Sequence, residues 1–158
     1  MNKFILSFIC ILGLQTTWAE PLYLVTQQEM QESNKAPPRF TPKTAPEKDA
    51  PVIEVVTPVI AEAISSPTPI KMVFQANAPS NVKPETFKVL YGTFEIDITK
   101  RITGKTQVTE QGLQVAQAEL PKGRHKLLIS VQDTNGRIGN KVIEFEIKWE
   151  THDKQIQP

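Results

Sequence analysis

An all-β fold is predicted: a seven-stranded antiparallel sandwich of two sheets, preceded by a disordered Pro-rich N-terminal tether. Three observations carry it. Apolar and polar residues alternate with period two in run after run from Pro51 onward. Turn-forming residues separate the runs, and no window shows the 3.6-residue stripe of an amphipathic helix. Seven short strands in roughly 100 residues, with no long helix to cross between parallel neighbours, leave a two-layer antiparallel arrangement as the way to bury one face of each.

The strands are read in order. "PVIEVVTP" is β-branched and bounded by prolines. "IKMVFQA" sets Ile70, Met72, Phe74 and Ala76 against Lys71, Val73 and Gln75. "TFKVLY" sets Phe87, Val89 and Tyr91 against Lys88 and Leu90, and "FEIDIT" sets Phe94, Ile96 and Ile98 against Glu95, Asp97 and Thr99. "GLQVAQAEL" is weaker, with Leu113 and Val115 in step. "HKLLISVQ" aligns His125, Leu127, Ile129 and Val131, and "KVIEFEIKW" aligns Ile143, Phe145, Ile147 and Trp149.

Ahead of the strands the chain has a different composition. Residues 1–19 read as a secretory signal peptide: a positive start in "MNK", an apolar "FILSFICILGL" and a polar "QTTWA" with small residues at Thr17 and Ala19. The apolar run is shorter than the roughly twenty residues a membrane span requires. Phe8 and Ile9 are bulky where a lipid-attachment site before Cys10 wants small residues, so no lipid anchor is expected. Cleavage after Ala19 removes the single cysteine and Lys3, leaving 17 Lys+Arg against 17 Asp+Glu. The mature chain then has no disulfide or thiolate site, and its neutrality argues against a nucleic-acid partner. Export places it in the periplasm or outside the cell.

Residues 20–50 read as an unstructured linker, because "NKAPPRFTPKTAPEKDAP" has little to bury and favours extended polyproline geometry. Within it "PLYLV" is a small apolar island, a candidate docking peptide expected to be frayed. Thr26 and Glu29 have the spacing of a helix capping box, though Met30 is all that the following turns offer to bury. Residues 51–150 form the domain and 151–158 a flexible tail.

The succession "PVIEVVTP", "SPTPIKMVF", "KVLYG", "IDITKRI" and "AELPKGRHKLLISVQDTNGRIGN" resembles bacterial immunoglobulin-like domains of the fibronectin-III-like kind, found in exported proteobacterial proteins. The resemblance spans residues 51–149. Its most recognisable part is the LP-x-G-x-H-x-L-x-I-x-V-x-D-x-x-G-R stretch. It implies an immunoglobulin-like sandwich without the paired cysteines and buried tryptophan of antibody domains, with Tyr91 as the nearest aromatic substitute.

Several residues invite a chemical reading. His125 shares the parity of Leu127, Ile129 and Val131, and by analogy with the corner before the corresponding strand it is expected to be structural rather than catalytic. His152 lies in the polar tail, so a zinc site is not expected. Asp133-Thr-Asn135-Gly136 resembles the start of a calcium loop, but Arg137 stands where a cation is least welcome. It is read as a turn, with Gly136 and Gly139 expected at positive φ. Glu95 and Asp97, roughly 6.6 Å apart if they lie on one strand face, have the separation of an inverting glycosidase pair. Lys122, Arg124, Lys126, Arg137 and Lys141 form a basic run that Glu119, Glu144 and Glu146 are expected to interleave.

Leu90 and Leu128 fall out of phase with the core faces of their strands, and Val142 is close by in the pattern. Brought together on one sheet face, they would mark a contact surface. The expected function is a non-catalytic exported module, needing no cofactor or metal, that binds a protein or cell-envelope partner through this face or by strand addition at an edge. A structural spacer is the first alternative. A glycan-active enzyme using Glu95 and Asp97 is the second.

Overall fold

The computed structural model describes residues 22–37, 47–62 and 64–148. The expected signal peptide, the tail with His152, and Trp149 lie outside the described residues. Two sheets pack face to face. One contains β1 (Leu22–Tyr23), β2 (Val52–Thr57), β4 (Thr68–Gln75) and β7 (Gly112–Glu119) in the order β1-β7-β4-β2. The other contains β3 (Ile64–Ser65), β5 (Val82–Tyr91), β6 (Ile96–Asp97), β8 (Gly123–Asp133) and β9 (Ile138–Lys148) in the order β3-β9-β8-β5-β6. Helices α1 (Gln27–Lys35) and α2 (Thr99–Thr103) complete the described elements.

Period two is what builds the layers. In β8, His125, Leu127, Ile129, Val131 and Asp133 are buried, and the intervening residues face outward. In β4 the buried set is Thr68, Ile70, Met72 and Phe74. The inner faces meet in one core, where the rings of Phe74 and Phe87 lie 5.8 Å apart across the sheets. Alternation at this pitch sends every second side chain to the same side, so a one-residue slip would expose the whole set.

The strand count and pairing differ from the expected seven antiparallel strands. Nine strands occur among the described residues, and two pairings are parallel: β1 with β7 and β3 with β9. Both added strands are two residues long, too short to leave a periodic signature in the sequence.

"FEIDIT" also departs from expectation. Only Ile96 and Asp97 pair with β5. Phe94 and Glu95 lie in the preceding turn, with Glu95 at φ 52°. Ile98 is buried at the start of α2. Local hydrogen bonds compete successfully with the ladder: the Asp97 carboxylate accepts from the Thr99 amide (2.9 Å), and the Thr99 hydroxyl accepts from the Val89 amide (2.9 Å).

The largest correction concerns the expected tether. Residues 22–37 are not unstructured: β1 and α1 form a strap packed on the sandwich, burying Leu22, Leu24, Val25 and Met30. The chain between β5 and β7 makes β6 and α2, so it does not cover the flank of β7. β1 fills that flank, with Leu22 opposite Ala118 and the Leu24 amide donating to the Glu119 carbonyl (3.1 Å). The capping box is formed. The Glu29 amide donates to the Thr26 hydroxyl (3.2 Å), and the Thr26 amide donates back to the Glu29 carboxylate (2.8 Å). Composition suggested disorder because apolar surface is scarce in this segment; a groove already on the sandwich supplies the missing partner.

Candidate functional site

The three out-of-phase residues are brought abreast. Leu90 pairs with Leu128 across β5 and β8, and Leu128 pairs with Val142 across β8 and β9. Asp97 of β6 extends the row beyond Leu90. Leu90 and Leu128 are half-buried, and Val142 is 52% exposed. On one side the row is bordered by Lys126 and Glu144, an ion pair at 3.1 Å. On the other side lie Lys88, Ser130 and Asn140, themselves in register. The result is a short apolar stripe across three strands with a polar margin, on the outer face of the five-stranded sheet.

The sheet edges are less open to a partner. Apart from the two residues paired with β3, no strand pairs with the outer edge of β9 among the described residues, although Pro51, just before β2, lies against Gly139. Lys141 has the inward parity of Ile143 yet is exposed at this edge, and an inward-pointing charge on an edge strand discourages strand addition. At the other edge, β2 exposes Val52 and Val56 with Glu54 between them, and Pro51 and Pro58 bound it.

His125 is enclosed by the fold. Its ring is buried, lies 5.4 Å from Phe145 in a stacked arrangement, and has both nitrogens engaged. Nε2 lies 2.7 Å from the Pro121 carbonyl, which only accepts, so Nε2 carries the proton. Nδ1 of the neutral ring then accepts from the Tyr91 hydroxyl at 3.0 Å. Burial holds the imidazole below its ordinary pKa, opposed by the Pro121 bond. Burial likewise raises the Tyr91 phenol to about 12, with Glu29 adding to the effect. Proton acceptance and nucleophile activation are both disfavoured by this arrangement.

Asp133 is equally occupied. Its carboxylate accepts from the amides of Asn135 and Arg137 (both 2.9 Å) and from the Arg137 guanidinium Nε (2.7 Å). Burial would raise its pKa, but the hydrogen bonds and charge of Arg137 and the Asn135 amide outweigh it, and the net shift is downward. Arg137 also donates to the Ser80 hydroxyl (2.8 Å). The loop is a turn held by a cation of its own. Gly136 has the expected positive φ, 79°, whereas Gly139 does not; it is there because a Cβ would run into the Pro51 carbonyl.

Glu95 and Asp97 do not share a strand face. Glu95 sits in a turn, and Asp97 is held below its usual pKa, first by its bond from Thr99, then by Lys88 and Lys100. That is the opposite direction from a general acid. The basic run does not gather either: Lys126 pairs with Glu144, Arg137 is engaged at the far end of β8, and Lys141 lies on the β9 edge. No group of three or more metal-ligating side chains occurs among the described residues. A narrow recess between the sheets beneath the β2–β3 crossover is walled by Val55, Pro58, Ile70, Leu120, Leu127 and Phe145, among others. It lacks the convergent polar groups that orient a small ligand.

One feature was beyond reach of sequence reasoning. Arg101 of α2 grips the strap, donating to both carboxylate oxygens of Glu29 (2.9 and 2.6 Å) and to the Leu24 carbonyl (2.9 Å). The Arg101 bonds, helped by Thr26, hold Glu29 down to about 2. The capping box was legible, but nothing in the sequence links residue 29 to residue 101. Comparison with protein-family models, curated proteins and solved structures found no match for this chain.

Proposed function

We propose that the chain is an exported, non-catalytic immunoglobulin-like module that binds a protein or cell-envelope partner through the Leu90–Leu128–Val142 face. The observation that carries this reading is the registered row itself: three apolar residues, one on each of three adjacent strands, with a polar margin, Leu90 and Leu128 half-buried and Val142 exposed. Apolar contact surfaces with polar rims are the usual anatomy of protein recognition. The edge alternative is weaker, given Lys141 on β9 and the prolines around β2.

The immunoglobulin-like assignment is supported by strand order. β2-β4-β7 facing β9-β8-β5 is the order in which two such sheets are wound, with β6 added beside β5. In that scheme β1 lies where a fourth strand would flank β7, but enters from the N-terminus and runs parallel. Export rests on the character of residues 1–19. No helix among the described residues is long and apolar enough to cross a membrane.

The test is substitution of Leu90 and Leu128 by lysine in the full chain, followed by crosslinking in the native envelope fraction. Loss of a reproducibly captured partner, with the fold intact, supports the reading. Retention of every partner sinks it, and absence of any partner in the wild type favours the spacer.

A further inference from the structure

The strap and the buried histidine are joined by geometry. Helix α1 rests on the ends of two strands. At the end of β5, the Thr93 amide donates to the buried Ser33 hydroxyl (2.8 Å), and Gly92 lies so close that a Cβ would collide with Ser33. At the start of β8, Met30 packs against Gly123, and the Asn34 side-chain amide donates to the Arg124 carbonyl (3.4 Å). The residues next to these two seats are Tyr91 and His125, whose side chains are hydrogen-bonded to each other.

We propose that the Tyr91–His125 pair is an acid-sensitive latch: when the ring takes up a proton, the two strand ends that seat α1 lose their shared geometry and the strap releases. The polarity of the hydrogen-bond chain supplies the reason. With Nε2–H committed to Pro121, added protonation falls on Nδ1, the atom that accepts from Tyr91. The tyrosine must then accept instead, and its own hydrogen loses its acceptor in a buried site. The new charge also has no counter-ion at hand. Glu29, the carboxylate felt by Tyr91, is held by Arg101 and Thr26. Glu144 and Glu146 have outward parity on β9, opposite Phe145. Lys122, Arg124 and Lys126, the charged neighbours on the His125 segment, are cationic and exposed.

The direction in pH follows. A histidine whose folded pKa lies below its reference value of 6.5 binds more protons when released. Its contribution to strap closure is complete above the reference value, declines as pH falls below it, and stops declining below the folded pKa. Within that window the opening equilibrium shifts by about tenfold per pH unit. The Glu29–Arg101 clamp adds no pH dependence of its own above 4.5, the reference value of Glu29.

The test is hydrogen exchange of residues 22–35 in the full chain from pH 7.5 down to 4.5, where Glu29 begins to contribute, corrected for intrinsic rates, alongside an NMR titration of the His125 ring. Protection of the strap is expected to fall by about tenfold per unit below pH 6.5 and to level off where the ring of the closed form titrates, while β4 and β7 keep theirs. A His125→Gln variant is expected to remove the dependence. A ring that titrates at or above 6.5 overturns the proposal, as does strap protection that stays constant below 6.5 or strap opening unchanged in His125→Gln. If that variant fails to fold, the wild-type comparison of ring and strap decides alone.

Discussion

Tyr91 and His125 occupy the inner side of β5 and β8; Leu90 and Leu128 sit at neighbouring positions on the same strands and face the other way. On the inner side, the polar side chains that look most capable of chemistry are consumed: each nitrogen of His125 and each oxygen of Asp133 has a partner in the fold. On the outer side, residues with no chemistry of their own stay partly exposed, Val142 most of all. The proposed function therefore rests on the apolar surface of this sheet rather than on its reactive side chains.

The sharpest way to test that contrast is to mutate adjacent residues of β8. Ile129 is fully buried, and Ile129→Ala is expected to cost about 2–5 kcal/mol through lost burial and the cavity left behind. Chemical denaturation monitored by circular dichroism measures it. Leu128→Lys, one residue away, is expected to change stability by under about 1 kcal/mol, because the lysine stem can lie along the sheet with its charge in water. Similar losses at the two positions would mean that Leu128 belongs to the core.

Smaller than the core effect, and local, is the strap clamp. Arg101→Ala removes the donor to Glu29 and to the Leu24 carbonyl; both charged groups are partly exposed, so a cost of about 1 kcal/mol is expected. Hydrogen exchange should locate the loss in residues 22–35 and leave β8 and β9 protected. Glu29 also sets an acid limit. Its folded pKa is lowered to about 2 from 4.5, so its contribution is present above the reference value and fades as pH falls toward 2. Arg101→Ala should flatten that part of the stability profile between pH 4.5 and 2.

Much of the sandwich was legible because period two is written in side-chain chemistry along most of β4, β8 and β9. The row was legible for the same reason: a leucine at the wrong parity stands out against its neighbours. What escaped were features that depend on a distant partner. β3 is a single buried isoleucine with a serine beside it, and β1 acquires meaning only from the open flank of β7. The α1 segment has a mean polarity that argues for disorder, until Gly92 and Gly123 provide seats for Ser33 and Met30. At "FEIDIT", alternation was real but local capping by Asp97 and Thr99 won.

The outer face of the five-stranded sheet is the proposed contact surface, and the outer face of the other sheet provides its control. A photo-crosslinking residue placed at Val142, exposed at the end of the row, should capture a partner in the native envelope fraction. The same residue at Lys71, exposed on the outer face of β4, should not. Capture at Val142 that disappears in a Leu90→Lys/Leu128→Lys background is the predicted result. Equal capture from both faces, or capture indifferent to those two leucines, would contradict the account.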